Sequence, residues 1–110
     1  MSRQTRIAIL DDDHSVRTAI SRLLKASEMT TDSFANCVEL FTFLKHEAPD
    51  CLVLDLQMPG MDGIDVLRYL KQRGQSLPVV MITAHDAPGT RESCISAGAV
   101  AYVRKPLDVD

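Results

Sequence analysis

The stretch "CLVLDLQMPG" (residues 51–60) decides the fold prediction. Cys51 to Leu54 are four consecutive apolar residues, and one carboxylate, Asp55, follows them directly. A short apolar run bounded by turn residues predicts a strand buried on both faces, as in a parallel sheet covered by helices. Because burying a carboxylate at the end of such a strand is costly, its presence there calls for a chemical explanation.

The composition indicates one globular domain of ordinary size. The chain has 110 residues, 45% hydrophobic and 25% charged, with a formal net charge of −3. This balance gives no reason to expect direct binding to nucleic acid or to an anionic membrane. The sequence shows neither a membrane-length apolar run nor a signal-peptide core, so we expect a cytoplasmic protein. Its three widely spaced cysteines favour reduced, buried thiols over a disulfide framework.

Apolar runs and helical stripes alternate along the chain. Four apolar runs predict strands at residues 7–10, 51–54, 79–82 and 99–103, and a weaker signal predicts a strand near Thr30 to Phe34. Four amphipathic stretches predict helices, over roughly 14–27, from the Asn36–Glu39 capping box to 44, around 64–70 and over roughly 88–97. Alternating strands and helices imply parallel strands joined by right-handed crossovers. The predicted fold class is therefore α/β, a three-layer sandwich with both faces of the sheet covered.

The chemically distinctive residues all follow the apolar runs. Asp11 and Asp12 follow the first predicted strand and Asp55 the third, whereas Thr83 ends the fourth and Lys105 lies just after the fifth. The carboxyl ends of parallel strands share one edge of a sheet, where ligands bind at the point at which the strand order reverses. Since neighbouring strands are about 4.8 Å apart, these carboxylates converge on one ion if the first and third strands are adjacent.

Three carboxylates in one crevice would repel one another, and a divalent cation removes that repulsion. Carboxylate oxygens without Cys or His among them suit Mg²⁺ rather than zinc. The Lys105 charge and the Thr83 hydroxyl suit phosphoryl oxygens, which share the coordination shell of Mg²⁺ in many sites. Carboxylates, a divalent cation, a lysine and a hydroxyl together are typical of a phosphoryl-transfer site. In such a site Asp55 is the carboxylate that becomes phosphorylated.

Four segments, in this order, carry a resemblance to a known family: "RIAILDDD", "CLVLDLQMPGMDG", "VVMITAH" and "AYVRKPLD". They resemble the marker segments of a response-regulator receiver domain, and together they span nearly the whole chain. The resemblance implies a flavodoxin-like fold, a three-layer sandwich around a five-stranded parallel sheet in the order 2-1-3-4-5.

The resemblance also bears on domain organisation. It implies one receiver domain over residues 1–110, which we expect to be the N-terminal part of a longer response regulator. The last helix of the family is expected to be missing or truncated, because Leu107 to Asp110 form at most its first turn. A missing helix would expose apolar surface and favour self-association.

The resemblance assigns a role to individual residues of the acidic cluster. Asp55 matches the phosphoacceptor of the family. Asp12 matches the acidic residue that binds Mg²⁺ directly, and Asp11 matches its neighbour, which often acts through water. Gln57 matches the position whose backbone carbonyl ligates the metal.

The remaining matches concern the switch. Thr83 matches the switch hydroxyl, and Ala84 matches the small residue that follows it. Tyr102 matches the switch aromatic, which turns inward when the hydroxyl moves. Lys105 matches the lysine of the family, and Pro106 matches the proline whose peptide bond with that lysine is usually cis.

The function implied is a phosphorylation-activated switch of a two-component phosphorelay. A sensor histidine kinase would donate the phosphoryl group, and an output domain or effector would read the change, most often a DNA-binding domain that regulates transcription. The domain would be no enzyme beyond its own phosphoryl transfer and dephosphorylation. We expect no membrane partner and no direct binding of nucleic acid by this segment, and a dimer is an open alternative.

Three other functions are compatible with parts of this pattern. A Mg²⁺-dependent phosphatase with an aspartyl nucleophile uses a D-x-D motif after its first strand, and Asp11 with Asp13 has that spacing. A flavodoxin-like FMN carrier would share the fold, but the acidic "DDDHSV" segment opposes phosphate binding at that loop. A receiver-fold interaction module that is never phosphorylated is the third, and the intact set of acidic residues argues against it.

Overall fold

The structure is a computed structural model, and it describes residues 4–60 and 62–107. Five strands alternate with four helices in these residues. Their order along the chain is β1 (Arg6–Leu10), α1 (His14–Ala26), β2 (Thr30–Phe34), α2 (Cys37–Leu44), β3 (Cys51–Asp55), α3 (Gly63–Gln72), β4 (Val79–Thr83), α4 (Thr90–Ser96) and β5 (Ala101–Arg104). The predicted alternation is confirmed, and each predicted strand overlaps the observed one.

The five strands form one parallel sheet in the order β2-β1-β3-β4-β5. This order and the flavodoxin-like sandwich are the ones predicted. Leu10, the last residue of β1, is in register with Leu54 of β3, and Leu54 is in register with Met81 of β4. The residues after β1 and β3 therefore emerge side by side, at the point where the order of the strands reverses.

Side chains that alternate along the strands form two separate cores, one on each face of the sheet. On one face, Leu54 and Met81 pack against α2, α3 and α4, and both are fully buried. On the other face, Ile9 and Val53 pack against α1 through Ile20. Both faces are therefore covered, as predicted, although the second face carries one described helix against three on the first.

Carboxylate and amide side chains define the starts of the first three helices. Asn36 accepts a hydrogen bond from the Glu39 backbone N–H, as the predicted capping box requires. Asp62 caps α3 and Asp13 caps α1 in the same way. Each cap satisfies a backbone N–H that has no partner inside its helix, which sets where the helix begins.

A groove of about 430 Å³ runs along α1 on the second face of the sheet. Its walls are Val16, Ala19 and Ile20 of α1 on one side and Pro106 and Leu107 on the other. The predicted start of a fifth helix falls here, but residues 108–110 lie outside the described part of the chain. None of the four described helices combines the length and the apolar character that crossing a membrane requires.

Gly63 is the first residue of α3, where the helix approaches the end of β3 most closely. A Cβ atom built on Gly63 would lie 2.9 Å from the backbone carbonyl oxygen of Asp55 and 2.9 Å from Cα of Leu56. It would also lie 2.7 Å from the Met81 sulfur. Two of these three contacts are to backbone, so a side chain at this position displaces the loop that follows β3.

We expect Gly63→Ala to lower the free energy of unfolding by about 1–3 kcal/mol, the usual range for overpacking a core. Urea denaturation followed by circular dichroism measures this change. Thr90→Ala is the matched control, because Thr90 is likewise the first residue of its helix. An unfolding midpoint for Gly63→Ala equal to that of the control would contradict the close approach of α3.

Candidate functional site

Three acidic side chains meet at the carboxyl edge of the sheet. Asp11 follows β1 and Asp55 ends β3, and both are buried, with exposed fractions of 0% and 2%. Asp12 is exposed at the rim. One carboxylate oxygen from each of the three lies within 4.8 Å of the other two. The pairing of β1 with β3 thus brings together the acidic residues that the sequence predicted to converge.

Lys105 supplies the positive charge of the site. Its Nζ lies 2.8 Å from Oδ2 of Asp11 and 3.3 Å from Oδ1 of Asp55. The backbone N–H of Lys105 donates to the carbonyl oxygen of Thr83 at 2.7 Å, which extends the β4–β5 pairing by one residue. The Lys105–Pro106 peptide bond is cis. Because the β5 backbone is held in this way, the lysine side chain reaches across β4 to both carboxylates.

Backbone N–H groups hold the two buried carboxylates in place. The N–H of Gln57 donates to Oδ1 of Asp55 at 3.2 Å, and the N–H of Asp13 donates to Oδ1 of Asp11 at 2.9 Å. Arg17 of α1 donates from Nη1 to the carbonyl oxygen of Asp11 at 2.8 Å. Arg17 is not among the site residues predicted from the sequence, although its position four residues after the N-cap Asp13 places it over the first turn.

The electrostatics of the site favour protonation of Asp55. Burial, together with the neighbouring Asp11 carboxylate, raises the pKa of Asp55 from 3.8 to about 6. The Gln57 N–H and the Lys105 ammonium act in the opposite direction and only partly offset this effect. Burial alone would lower the pKa of Lys105, but the hydrogen bond to Asp11 and the charge of Asp55 outweigh it and raise that pKa.

The donor set fits a hard divalent cation. Asp11, Asp12 and Asp55 offer carboxylate oxygens from two buried side chains and one exposed side chain. Oδ2 of Asp11 is fully buried, and the Lys105 ammonium is its one polar contact among the described residues. Carboxylate oxygens on one side of an open crevice suit Mg²⁺, which keeps several waters in its shell.

Thr83 ends β4 beside this cluster and is fully buried. Its hydroxyl accepts a hydrogen bond from the backbone N–H of His85 at 3.0 Å and lies 3.0 Å from the carbonyl oxygen of His85, to which it donates. The Gln57 side-chain oxygen is farther away, at 3.5 Å. The structure therefore turns the Thr83 hydroxyl toward the β4–α4 loop (residues 84–89), with Ala84 exposed beside it.

Tyr102 of β5 packs against the same loop. Its ring is buried, with 8% exposed, and its hydroxyl donates to Oδ1 of Asp86 at 2.8 Å. Burial, followed by the hydrogen bond to the Asp86 carboxylate, raises the pKa of Tyr102 to about 12. Asp86 is not among the site residues predicted from the sequence, because an exposed acid in a polar loop has no pattern that separates it from an ordinary solvated residue.

The site residues predicted from the sequence thus form two neighbouring groups. The first is the acidic cluster with Lys105 and the Gln57 backbone, and the second is Thr83 and Tyr102, which are joined to the β4–α4 loop. Asp13 belongs to neither group, since its carboxylate caps α1 through the Ser15 N–H.

Comparison with known proteins gives the family. The profile of the response regulator receiver domain matches residues 7–110. The chain belongs to the response regulator receiver domain family. A solved response regulator receiver protein from Burkholderia phymatum is 42% identical to it, with a TM-score of 0.84 over 96% of this chain and 86% of that one.

Two curated relatives are longer proteins. The DNA-binding transcriptional regulator NtrC of Escherichia coli (strain K12) is 39% identical over 93% of this receiver chain and 22% of its own length. Response regulator MprA of Mycobacterium ulcerans (strain Agy99) is 36% identical over 96% of the chain and 45% of its own length. The receiver chain therefore spans less than half the length of either relative.

The raised pKa of Asp55 predicts a specific pH dependence of stability in metal-free buffer. The native state holds the Asp55 proton more tightly than the unfolded chain does, so the contribution of this proton to stability is complete below pH 4. That contribution is lost as the pH rises from about 4 to about 6, and the loss reaches about 3 kcal/mol at most. We expect Asp55→Asn to abolish this component and to be more stable than the parent chain at pH 8.

Urea denaturation with EDTA at a series of pH values measures the difference between the two chains. Asp32→Asn, which alters an exposed carboxylate on β2, is the control and should follow the parent. If the parent and Asp55→Asn lose stability in parallel between pH 4 and pH 7, the pKa of Asp55 is not raised.

Proposed function

We propose that this receiver domain is a phosphorylation-activated switch in a two-component phosphorelay, with Asp55 as the phosphoacceptor. The observation that carries this proposal is the environment of the Asp55 carboxylate. It is buried at the end of a central strand, with two further carboxylates within 4.8 Å and the Lys105 ammonium at 3.3 Å. A buried acid of this kind has no evident role in packing, whereas a phosphoryl group needs these neighbours.

The proposed transfer uses a histidine kinase as the donor. An Asp55 oxygen attacks phosphorus, and the bond from phosphorus to the kinase imidazole nitrogen breaks as the new O–P bond forms. Lys105 pairs with the charge on the transferring oxygens from a position it already occupies between Asp11 and Asp55. Hydrolysis of the acyl phosphate returns the Asp55 carboxylate.

Asp11, Asp12, Asp55 and the backbone carbonyl of Gln57 would hold Mg²⁺ in this proposal. Bound there, Mg²⁺ neutralises charge on the phosphoryl oxygens and on the carboxylates. The chain contributes the fixed geometry, because backbone N–H groups and Arg17 hold Asp11 and Asp55 in place before any ligand arrives.

The proposed switch is the second group of residues. The Thr83 hydroxyl leaves His85 and donates to the phosphoryl group, and Tyr102 responds through the β4–α4 loop. Ala84 adds no bulk beside the site, and Pro106 follows Lys105 at the turn after β5. The change would be read on the surface of α4 and β5.

The proposed partners are a sensor histidine kinase and an output domain or effector. One relative, NtrC, is by name a DNA-binding transcriptional regulator. We propose by analogy that residues 1–110 form the receiver part of a longer regulator whose output controls transcription. Neither nucleic acid nor a membrane is a proposed ligand of this segment, and a dimer is compatible with the proposal.

The decisive experiment is phosphorylation by acetyl phosphate with Mg²⁺, followed by intact mass and by mapping of the adduct. We expect one Mg²⁺-dependent phosphoryl group on Asp55 and none in Asp55→Asn. Asp13→Asn is the control, because Asp13 caps α1 and should leave labelling intact. A label on Asp11, with turnover of small phosphate esters, would instead favour the aspartyl-nucleophile phosphatase.

Lys105 should affect transfer much more than metal binding. We expect Lys105→Met to slow phosphorylation by about 10²- to 10³-fold, the usual cost of losing one group that stabilises transition-state charge. Mg²⁺ affinity, measured by calorimetry, should be equal or higher, because removal of the ammonium leaves the Asp11 and Asp55 carboxylates without their cation. Lys45→Met, at the exposed end of α2, is the matched control.

A rate for Lys105→Met within a few-fold of the parent would remove Lys105 from the proposed mechanism. Circular dichroism of each variant separates this result from a loss of fold.

A further inference from the structure

The β4–α4 loop contacts Thr83 and Tyr102 through two consecutive residues. The Thr83 hydroxyl lies 3.0 Å from both the N–H and the carbonyl oxygen of His85. The next residue, Asp86, accepts the hydrogen bond of the Tyr102 hydroxyl at 2.8 Å. The carbonyl of His85 and the nitrogen of Asp86 belong to the same peptide unit, which is planar and rigid. The Thr83 hydroxyl therefore holds the peptide unit that carries Asp86.

The other hydrogen bonds of the loop lie at its far end, where the Thr90 N–H donates to the Ala87 carbonyl and the Ser93 N–H and hydroxyl donate to the Gly89 carbonyl. His85, Asp86, Ala87, Pro88 and Gly89 are all exposed. Arg91 lies over the Tyr102 ring at 6.0 Å from its centroid, a distance at which a cation–π contact is weak. The hydrogen bond to Asp86 is therefore the main polar contact that ties the buried Tyr102 hydroxyl to the part of the loop held by Thr83.

We propose that Asp86 is the positioning residue that couples Thr83 to Tyr102. When the Thr83 hydroxyl leaves His85, the peptide unit of Asp86 is released, and the carboxylate no longer holds the Tyr102 hydroxyl in the same place. Asp86 is thus the link by which a change at the end of β4 reaches the ring on β5. This proposal rests on the proposed function in one respect, that phosphorylation is the event that moves Thr83. The hydrogen bonds that join Thr83 to Tyr102 through Asp86 are present without a phosphoryl group.

The composition of the chain makes this link measurable. The chain has two tyrosines and no tryptophan, so in Tyr69→Phe the tyrosine fluorescence comes from Tyr102 alone. Quenching by acrylamide in this background reports the accessibility of Tyr102. We expect Asp86→Ala to shift the populations of the Tyr102 ring toward the exposed conformation. The ratio of buried to exposed rings should fall about fivefold, because one hydrogen bond of about 1 kcal/mol is lost. Asp86→Asn keeps an acceptor oxygen and should restore most of the burial.

Coupling is tested by combining variants at Thr83 and Asp86 in the same background. Thr83→Ala should raise the accessibility of Tyr102 when Asp86 is present and should have no further effect in the Asp86→Ala chain. Thr83→Ser, which keeps the hydroxyl, should behave like the parent. Glu92→Ala, which removes another exposed carboxylate from the first turn of α4, is the control for loss of charge.

Additive effects of Thr83→Ala and Asp86→Ala would overturn the proposal, as would an unchanged Tyr102 in Asp86→Ala. These measurements need no phosphorylation, so their failure is distinct from failure of the proposed function. If the effects are non-additive but acetyl phosphate leaves the parent chain unlabelled, the link is supported and the phosphoacceptor role is refuted. If the parent is labelled, its Tyr102 accessibility should change on labelling, and that of Asp86→Ala should not.

Discussion

The ion pairs of Lys105 with Asp11 and Asp55 are the interaction on which the geometry of the site depends. Two buried carboxylates at the ends of adjacent strands would be strongly unfavourable without a cation close by. The lysine comes from β5, two strands away from β3, and its position depends on the pairing of β4 with β5. The two carboxylates thus have a cation beside them only when β1, β3, β4 and β5 pair in this order.

Apolar packing and polar chemistry are separated along β1 and β3. Residues in the middle of β1 and β3, such as Ile9 and Leu54, fill the two cores, and polar side chains begin only where the strands end. The cores therefore hold the backbone of the site rigidly without contributing polar atoms to it. The β4–α4 loop is different, because its residues are exposed and it is held by hydrogen bonds rather than by core packing. The acidic cluster and the loop that contacts Thr83 and Tyr102 are therefore supported by different kinds of interaction.

Much of this organisation was predictable from the sequence. Apolar runs predicted four strands, helical stripes predicted the helices, and only a weak signal predicted β2. The placement of Asp11, Asp55 and Lys105 after strands predicted their convergence. The strand order came from the family resemblance, because local pattern carries no information on which strands are neighbours. The contacts of Arg17 and Asp86 could not be predicted, since both residues are unremarkable in sequence and each contact depends on how the chain folds around it.

The approach of α3 to the end of β3 has a consequence for the segment between them. The N–H of Gly63 donates to the carbonyl oxygen of Leu56 at 2.7 Å, so the two ends of this segment are fastened together. Gln57, whose N–H contacts Asp55, lies just inside the fastened ends. The entropy of closing this loop is lost when the protein folds and is not lost again when a ligand arrives. Gln57, which lies beside the proposed phosphoacceptor Asp55, is therefore held before a ligand arrives, and binding against it carries a small ordering cost.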